Sequence, residues 1–342
     1  DRLEPAVAEP PLGRDLEPAT AFGGRLDALT LGNTVRLARL IRSWRPDVLH
    51  SFQYGAHLLA RSLAESFGIG WVHTILGPLS PGQAFEGGPY LAVSGAFAAD
   101  AARVGATDVR IVPARLDSRA FSPGPEPLVP TVAYISRLDG RLVAQSEWVC
   151  EALTEVSAQT GAPCLVAGDG EGLEALRRRF PRLVFLGHVP KISDVLARAT
   201  VLVGAGRTLI EGLASGVPCL SVGLRGFGGR VTPGTASLIA AHNFGGRHVP
   251  ERQTAGAAPL AAALTDLLGD AAERSRLRAW GPEFARRYEV GAALAPLLSA
   301  YEDSRKLAAE RGRGARTLGL LASLVRVKTS RTVSRALRVT RA

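Results

Sequence analysis

Residues 197–226 read ARATVLVGAGRTLIEGLASGVPCLSVGLRG. Thr200 to Val203 is a short β-branched apolar run, the pattern of a buried strand. Gly204-Ala205-Gly206 interrupts it. Arg207 to Ser215 then has helical periodicity, with Leu209, Ile210, Leu213 and Ala214 on one face. Gly216-Val217-Pro218 stops that helix, and Cys219 to Val222 is a second apolar strand. The order is strand, helix, strand, so the two strands are expected to lie parallel.

The chemistry of this unit sits at its turn. Two glycines allow a ligand close to the backbone. The first N–H groups of a helix have no partner within it, and the helix dipole adds partial positive charge there. Phosphate suits such a place. Arg207 supplies a full charge, and Glu211 lies one turn on, about 6 Å away. A carboxylate so placed is able to accept hydrogen bonds from sugar hydroxyls. The turn alone is equally compatible with an ordinary βα connection carrying a surface Arg–Glu pair.

The segment GRTLIEGLASGVPCLSVG resembles the donor site of the family-4 type glycosyltransferases, the glycosyl transferases of group 1. Glu211, Ala214, Gly216 and Pro218 match their E-A-M-A-x-G-x-P pattern. GLRGFGGRVTPG, which follows, resembles a G-x-G-G-x-V-T-P variant within that family. Val203 stands where many members carry a second Glu. The resemblance implies an α/β chain of the GT-B fold, with two Rossmann-like domains facing a central cleft.

The 342 residues give room for two domains, and 46% of them are hydrophobic. Cys150, Cys164 and Cys219 lack metal-ligand spacing and lie in apolar segments, which predicts buried free thiols and a reducing compartment. No apolar run reaches the ~18 residues of a membrane-spanning helix, and no signal peptide is visible. The chain begins at Asp1 and contains no Met, so the reading expects its natural N-terminus upstream and the first domain incomplete. The net charge is +10. Eleven Arg or Lys and two acids lie between Asp303 and Ala342, so +9 of it belongs to the tail. A near-neutral body argues against a nucleic-acid partner.

Along the chain, residues 1–30 show no clean period. Helices are expected over Asn33–Ser43, His57–Phe67 and Gly95–Val104. Strands are expected over Asp47–Ser51, Trp71–Leu76, Tyr90–Ser94 and Val109–Val112. This alternation is that of a mainly parallel sheet. DVLHS, YLAVS and VRIVPARLDSRAFSP resemble segments of the same family's first domain. The family's opening strand and Gly-Gly loop have no counterpart before Asp47, and Leu76 takes the place of a His common there. His50 ends a strand, where α/β ligand crevices form, and reads either as part of an acceptor cleft or as a hydrogen-bonded buried group. His73 reads as core, and His57 as a structural residue on a helix face.

SPGPEPLVP, residues 122–130, reads as a stiff linker. It divides an N-terminal acceptor-side domain (1–124) from a donor domain (129–282). In the second, strands are expected over Thr131–Ile135, Pro163–Ala167 and Leu183–Leu186. Helices are expected over Ser146–Ser157, Leu173–Arg179, Thr235–Ala241, Pro259–Leu268 and Asp270–Trp280. A long helix over Glu283–Tyr301 would, by resemblance, cross back to the first domain. Arg137 and Arg141 follow the first strand, where guanidinium forks suit a diphosphate and where solvated loop arginines are the plain alternative. By resemblance, Arg137, Arg141 and Glu211 are the catalytic set. Gly168 and Gly170 in GDGEG, His188 and Val189, and Gly204, Gly206 and Arg207 hold the donor. NFGGR at 243–247 resembles a segment of the same variant, without a role attached.

The implied activity is transfer of a sugar from a nucleotide diphosphate sugar to a glycan or lipid-linked acceptor, with retention of configuration. The donor is a substrate, and no cofactor is implied. No D-x-D motif occurs, and the reading expects no metal. A non-catalytic relative binding a nucleotide sugar or a partner enzyme, and a sugar-nucleotide epimerase, stay open as alternatives. In the tail, Leu320, Leu321, Leu324 and Val325 with Arg331, Arg335 and Arg338 read as a basic amphipathic segment, against a disordered tail, a partner helix or a nucleic-acid contact. Each Arg or Lys there would contribute about 1 kcal/mol on an anionic leaflet. The location expected is the cytoplasm, at the inner membrane face, in cell-envelope glycan synthesis.

Overall fold

The computed structural model describes residues 31–52, 54–79, 83–249 and 257–310. Residues 1–30 and the tail from 311 lie outside the described residues, and with them the amphipathic reading of 315–342. The chain divides into two units. One comprises residues 1–91, 101–110 and 298–342, the other residues 92–100 and 111–297.

The first sheet has four strands in the order β1-β2-β3-β4: β1 Val48–Ser51, β2 Gly70–Ile75, β3 Tyr90–Ala92 and β4 Val109–Ile111. β1 and β2 pair in parallel, Val48 against Gly70 and Ser51 against His73. Helices α1 (Leu31–Trp44), α2 (Tyr54–Phe67) and α3 (Gly95–Arg103) alternate with the strands. Ile41 of α1 meets Leu59 and Leu63 of α2 in a small core. His73 is buried as expected, and His57 is buried too. The His57 ring lies 4.7 Å from that of His73 and 5.4 Å from those of Trp71 and Tyr90.

The second unit is built on a six-stranded sheet in the order β10-β9-β8-β5-β6-β7. Its strands are β5 Val132–Ile135, β6 Cys164–Ala167, β7 Val184–Gly187, β8 Val201–Gly204, β9 Cys219–Gly223 and β10 Gly226–Arg230. Five run parallel, and β10 returns antiparallel beside β9. Strands buried on both faces need no polar alternation, and Val201, Leu202, Val203, Cys219, Leu220 and Val222 are all fully buried. The helices are α4 Leu142–Thr160, α5 Leu173–Arg179, α6 Ile192–Leu196, α7 Arg207–Ala214, α8 Ala236–Ala241, α9 Ala257–Gly269 and α10 Ala271–Ala285; α11 Val290–Glu310 begins here, and its residues from 298 belong to the first unit. One core face gathers Val149, Leu153, Val156, Leu260 and Leu264 of α4 and α9. The other gathers Leu209, Ile210, Leu213 and Ala214 of α7 with Phe244, Phe284 and Tyr288. The three cysteines are buried and free.

Two expectations need correcting, and one strand was not expected. The helix read over Glu283–Tyr301 is broken: α10 runs to Ala285, a 3-10 turn occupies Arg286–Tyr288, and α11 starts at Val290. The break lets the Leu116 N–H donate to the Tyr288 carbonyl and the Val290 N–H to the Leu116 carbonyl, which an unbroken helix would forbid. α4 begins four residues before Ser146, because Leu142 follows the loop directly. β10 was unforeseen, since three of its five residues, GFGGR, are glycine. A Cβ on Gly228 would stand 2.7 Å from Ser221 Oγ and 2.9 Å from Gly246 Cα, so packing there demands glycine. The stretch 122–130 packs within the second unit: Glu126 pairs with Arg274 at 2.7 Å, and Arg278 donates to the Gly124 carbonyl at 2.7 Å.

Candidate functional site

The strand order of the second sheet places the site. From β5 the chain proceeds to β6 and β7 on one side, then returns to build β8 and β9 on the other. The order therefore reverses between β5 and β8, which pair through Val132–Val201 and Tyr134–Val203. In open α/β sheets, ligands occupy the crevice at the carboxyl ends of the strands at such a reversal. The loops that border it here are Ser136–Arg141 after β5 and Ala205–Gly206 after β8.

The first loop carries Arg137 and Arg141. The Arg137 side chain is 76% exposed, with one weak partner, Asp139 at 3.4 Å. Arg141 is exposed and immediately precedes α4, a helix of 19 residues whose free N–H groups and dipole favour an anion. The loop is held from beneath. Ser136 N–H donates to the Ala167 carbonyl, Leu138 N–H to the Asp169 carbonyl and Gly172 N–H to the Leu138 carbonyl. Gly140 N–H donates to Glu171 at 3.1 Å.

This explains the glycines of GDGEG. Gly168 has φ +149° and Gly170 φ +144°. A Cβ on Gly168 would overlap the Ser136 carbonyl, and one on Gly170 would lie 2.6 Å from the Leu138 carbonyl group. Their missing side chains make room for the arginine-bearing loop, a role the sequence reading gave to the nucleotide.

The second loop carries Gly204, Gly206, Arg207 and Glu211. Gly204 ends β8, and a Cβ there would lie 3.5 Å from the Ile135 carbonyl oxygen at the end of β5. Gly206 has φ 61° and ψ −135°, a conformation that side chains exclude. It precedes α7 without a capping side chain. Arg207 Nε lies 3.0 Å from Glu211 Oε1, the first 69% and the second 9% exposed. Burial raises the Glu211 pKa above the usual carboxylate range, and Arg207 opposes that rise. The site thus presents two helix N-termini, exposed guanidiniums from both loops and one desolvated carboxylate.

Residues 129–270 match the family model described as glycosyl transferases group 1. That stretch is similar to the glycosyl transferases of group 1. No curated protein matches the chain by sequence. Among solved structures, a glycosyltransferase from Rickettsia africae is similar over 80% of this chain and 81% of its own, at 14% identity and a TM-score of 0.58. HepE of Anabaena, solved with UDP and glucose, is similar over 81% of this chain and 83% of its own, at 15% identity and a TM-score of 0.59. The lipopolysaccharide outer core galactosyltransferase WaaB is similar over 79% of each chain, at 16% identity and a TM-score of 0.51. The fold is the GT-B fold that the resemblance implied.

Within this second unit, His188 and Val189 follow β7, two strands from the reversal. The His188 side chain is exposed, and Val189 packs on the core around α7. Val203 is fully buried in β8. In the other unit, the half-buried His50 hydrogen-bonds Tyr301 Oη at 2.8 Å and Thr74 Oγ1 at 2.7 Å through its two ring nitrogens. Leu76 is 52% exposed just beyond β2. Among the described residues no helix is long and apolar enough to cross a membrane.

The reading attached no role to Asn243. It has φ 53°, and its Nδ2 lies 3.8 Å from where a Cβ on Gly206 would be. Its signal in the sequence was the N-F-x-G run, which gives no hint of a partner 37 positions upstream.

Proposed function

We propose that this chain moves a sugar from a nucleotide diphosphate sugar to a glycan or lipid-linked acceptor. The observation that carries the reading is the pairing of Arg137 and Arg141 with the Gly206–Arg207 turn across the β5/β8 reversal. In the reaction, the bond from the anomeric carbon to the β-phosphate oxygen breaks. A bond to an acceptor hydroxyl oxygen forms, and the hydroxyl proton passes to the departing diphosphate or to water. The leaving group is a diphosphate, so charge accumulates on its oxygens. Arg137, Arg141 and the N-termini of α4 and α7 would stabilise it electrostatically. These groups supply charge that a metal ion supplies in other transferases. Glu211, desolvated and oriented by Arg207, would accept hydrogen bonds from donor hydroxyls. Gly168 and Gly170 would act by supporting the arginine loop, with backbone groups of His188 and Val189 framing the base.

Retention of anomeric configuration, an acceptor of the cell envelope and His50 in the acceptor site belong to the same reading. They are supported by the family resemblance and, for the envelope, by what WaaB is said to act on. Residence in the cytoplasm against an anionic membrane surface rests on the basic composition of 315–342. Nothing in that reading calls for a nucleic acid.

The test is calorimetric titration of the protein with UDP, GDP and ADP, beside Arg137→Ala and Glu211→Ala. Micromolar binding of one nucleotide, lost with Arg137→Ala, supports the donor site and selects the donor series for turnover assays. Proton NMR coupling at the product's anomeric carbon then reads retention. Binding without turnover of any donor would favour a non-catalytic role, for which the buried Val203 is the relevant feature.

A further inference from the structure

We infer that Asn243 is a donor-contact residue, its side-chain amide hydrogen-bonding a donor oxygen held at the Gly206 turn. The inference rests on the donor-site reading above and deepens it. Three observations carry it.

First, the amide is close. Its Nδ2 is 3.8 Å, and the Asn243 carbonyl oxygen 4.0 Å, from the Cβ position of Gly206. The absence of a side chain on Gly206 leaves a gap with the amide on its far side. Second, the amide is uncommitted. Asn243 N–H donates to the Ala240 carbonyl, yet among the described residues its side chain makes no hydrogen bond. Half-buried amides usually find partners, and an Asn has two donors and an acceptor to satisfy. Third, the backbone is held in place at a cost. Asn243 and Phe244 both have positive φ, 53° and 52°, which asparagine tolerates and which is unfavourable for phenylalanine. Such outliers persist where the surroundings enforce them, and they gather at ligand sites.

The enforcement is visible. Phe244 is 1% exposed, its N–H donates to the Ile239 carbonyl at 2.9 Å, and its carbonyl accepts from Ser221 Oγ at 2.8 Å. Gly223 presses against the Gly245 carbonyl so closely that a Cβ there would overlap it. The Asn243 backbone is therefore held beside the turn before any donor arrives, which lowers the ordering cost of binding.

The partner oxygen belongs either to the β-phosphate or to a hydroxyl of the transferred sugar, and the test separates them. Wild type, Asn243→Gly and Asn243→Asp are titrated with UDP and UDP-glucose, GDP and GDP-mannose, ADP and ADP-glucose. Glycine suits φ 53°, so Asn243→Gly removes the amide without straining the loop, and its melting temperature is expected unchanged or higher. For the pair that wild type binds, the expected result is an affinity for the sugar nucleotide about three- to tenfold weaker in Asn243→Gly.

If the nucleotide alone weakens equally and Asn243→Asp is worse still, the partner is phosphate, which a carboxylate repels. If only the sugar nucleotide weakens and Asn243→Asp equals or exceeds Asn243→Gly, the partner is a hydroxyl. Unchanged affinity in Asn243→Gly, with binding lost in Arg137→Ala, overturns the inference and leaves the donor site standing. No binding of any of the six by wild type overturns both.

Discussion

The guanidinium of Arg207 and the carboxylate of Glu211 lie 3.0 Å apart, one turn of α7 apart, across a steep gradient of exposure. The arginine is in solvent and the carboxylate is almost out of it. A buried carboxylate with a single exposed partner is held ionised mainly by that partner. Arg207→Gln should therefore raise the Glu211 pKa further and weaken donor binding about ten- to hundredfold, the worth of a charge-assisted contact. Calorimetry reads the affinity, and carboxyl-carbon NMR reads the titration.

The sign of the stability effect follows from the same pair. Glu211 has its folded-state pKa raised. The unfolded chain then releases the Glu211 proton more readily, and stability falls as pH rises through the unfolded and then the folded value. Glu211→Gln should stabilise the protein at pH 7 while binding donor poorly, with the stability gain vanishing at pH values below the ordinary carboxylate pKa. Urea unfolding at both pH values measures this, and an equal gain at low pH would contradict it.

Arg137 separates binding from folding in the opposite way. Its side chain is 76% exposed and its contact to Asp139 is long. Exposed pairs contribute about 0–1 kcal/mol, so Arg137→Ala should leave stability within about 0.5 kcal/mol of wild type. Nucleotide diphosphate affinity should fall about tenfold or more, with a shallower salt dependence. Arg141→Ala should behave alike. Normal affinity in both variants would remove the β5–α4 loop from the donor site.

Gly168 and Gly170 test the support role. Alanine at either position would require both a forbidden φ and space that the Ser136–Asp139 backbone fills. Each should cost about 2–4 kcal/mol of stability. Gly140 is the control, since its φ is +50° but nothing lies within 4 Å of a Cβ there. Gly140→Ala should cost about 1 kcal/mol, the conformational penalty alone. Equal losses at all three, read by chemical denaturation, would show that crowding is not what selects Gly168 and Gly170.

These glycines also show how far the sequence could be read. The strands of the second sheet were legible because burial on both faces leaves continuous apolar runs, as in VLV and CLSV. The Arg207–Glu211 pair was legible because helical spacing is local. Packing between loops distant in sequence was not. Nothing in GDGEG says that its glycines accommodate residues 136–139, and nothing in NFGGR says that its asparagine faces Gly206. The break at Arg286–Tyr288 was hidden too, because its cause, pairing with Leu116, lies some 170 positions away. β10 carried no signal, since glycine, demanded by crowding at Gly228 and by positive φ at Gly226 and Gly229, erases strand propensity.

The first unit makes a separate prediction through its histidines. His57 is 1% exposed and its Nδ1 has no hydrogen-bond partner among the described residues. Burial, then His73 and Arg61, push its pKa down to about 2. Burial and then His50 push His73 down to about 4. Both rings are therefore neutral in the folded state well below the 6.5 of an unfolded histidine. As pH falls from 6.5, the unfolded chain takes up protons that the folded one refuses. Stability is fully present above 6.5 and declines toward 4, at up to about 1.4 kcal/mol per pH unit for each histidine. Trp71, whose ring is 5.4 Å from His57, provides the fluorescence signal for urea unfolding at pH 7.5, 6 and 5. His57→Phe keeps an aromatic ring among Trp71, Phe85 and Tyr90 and removes one titrating group, so the slope should fall by about one proton. A slope unchanged by that substitution would mean that His57 is protonated alike in the folded and unfolded chain, and that its burial is not what sets its charge.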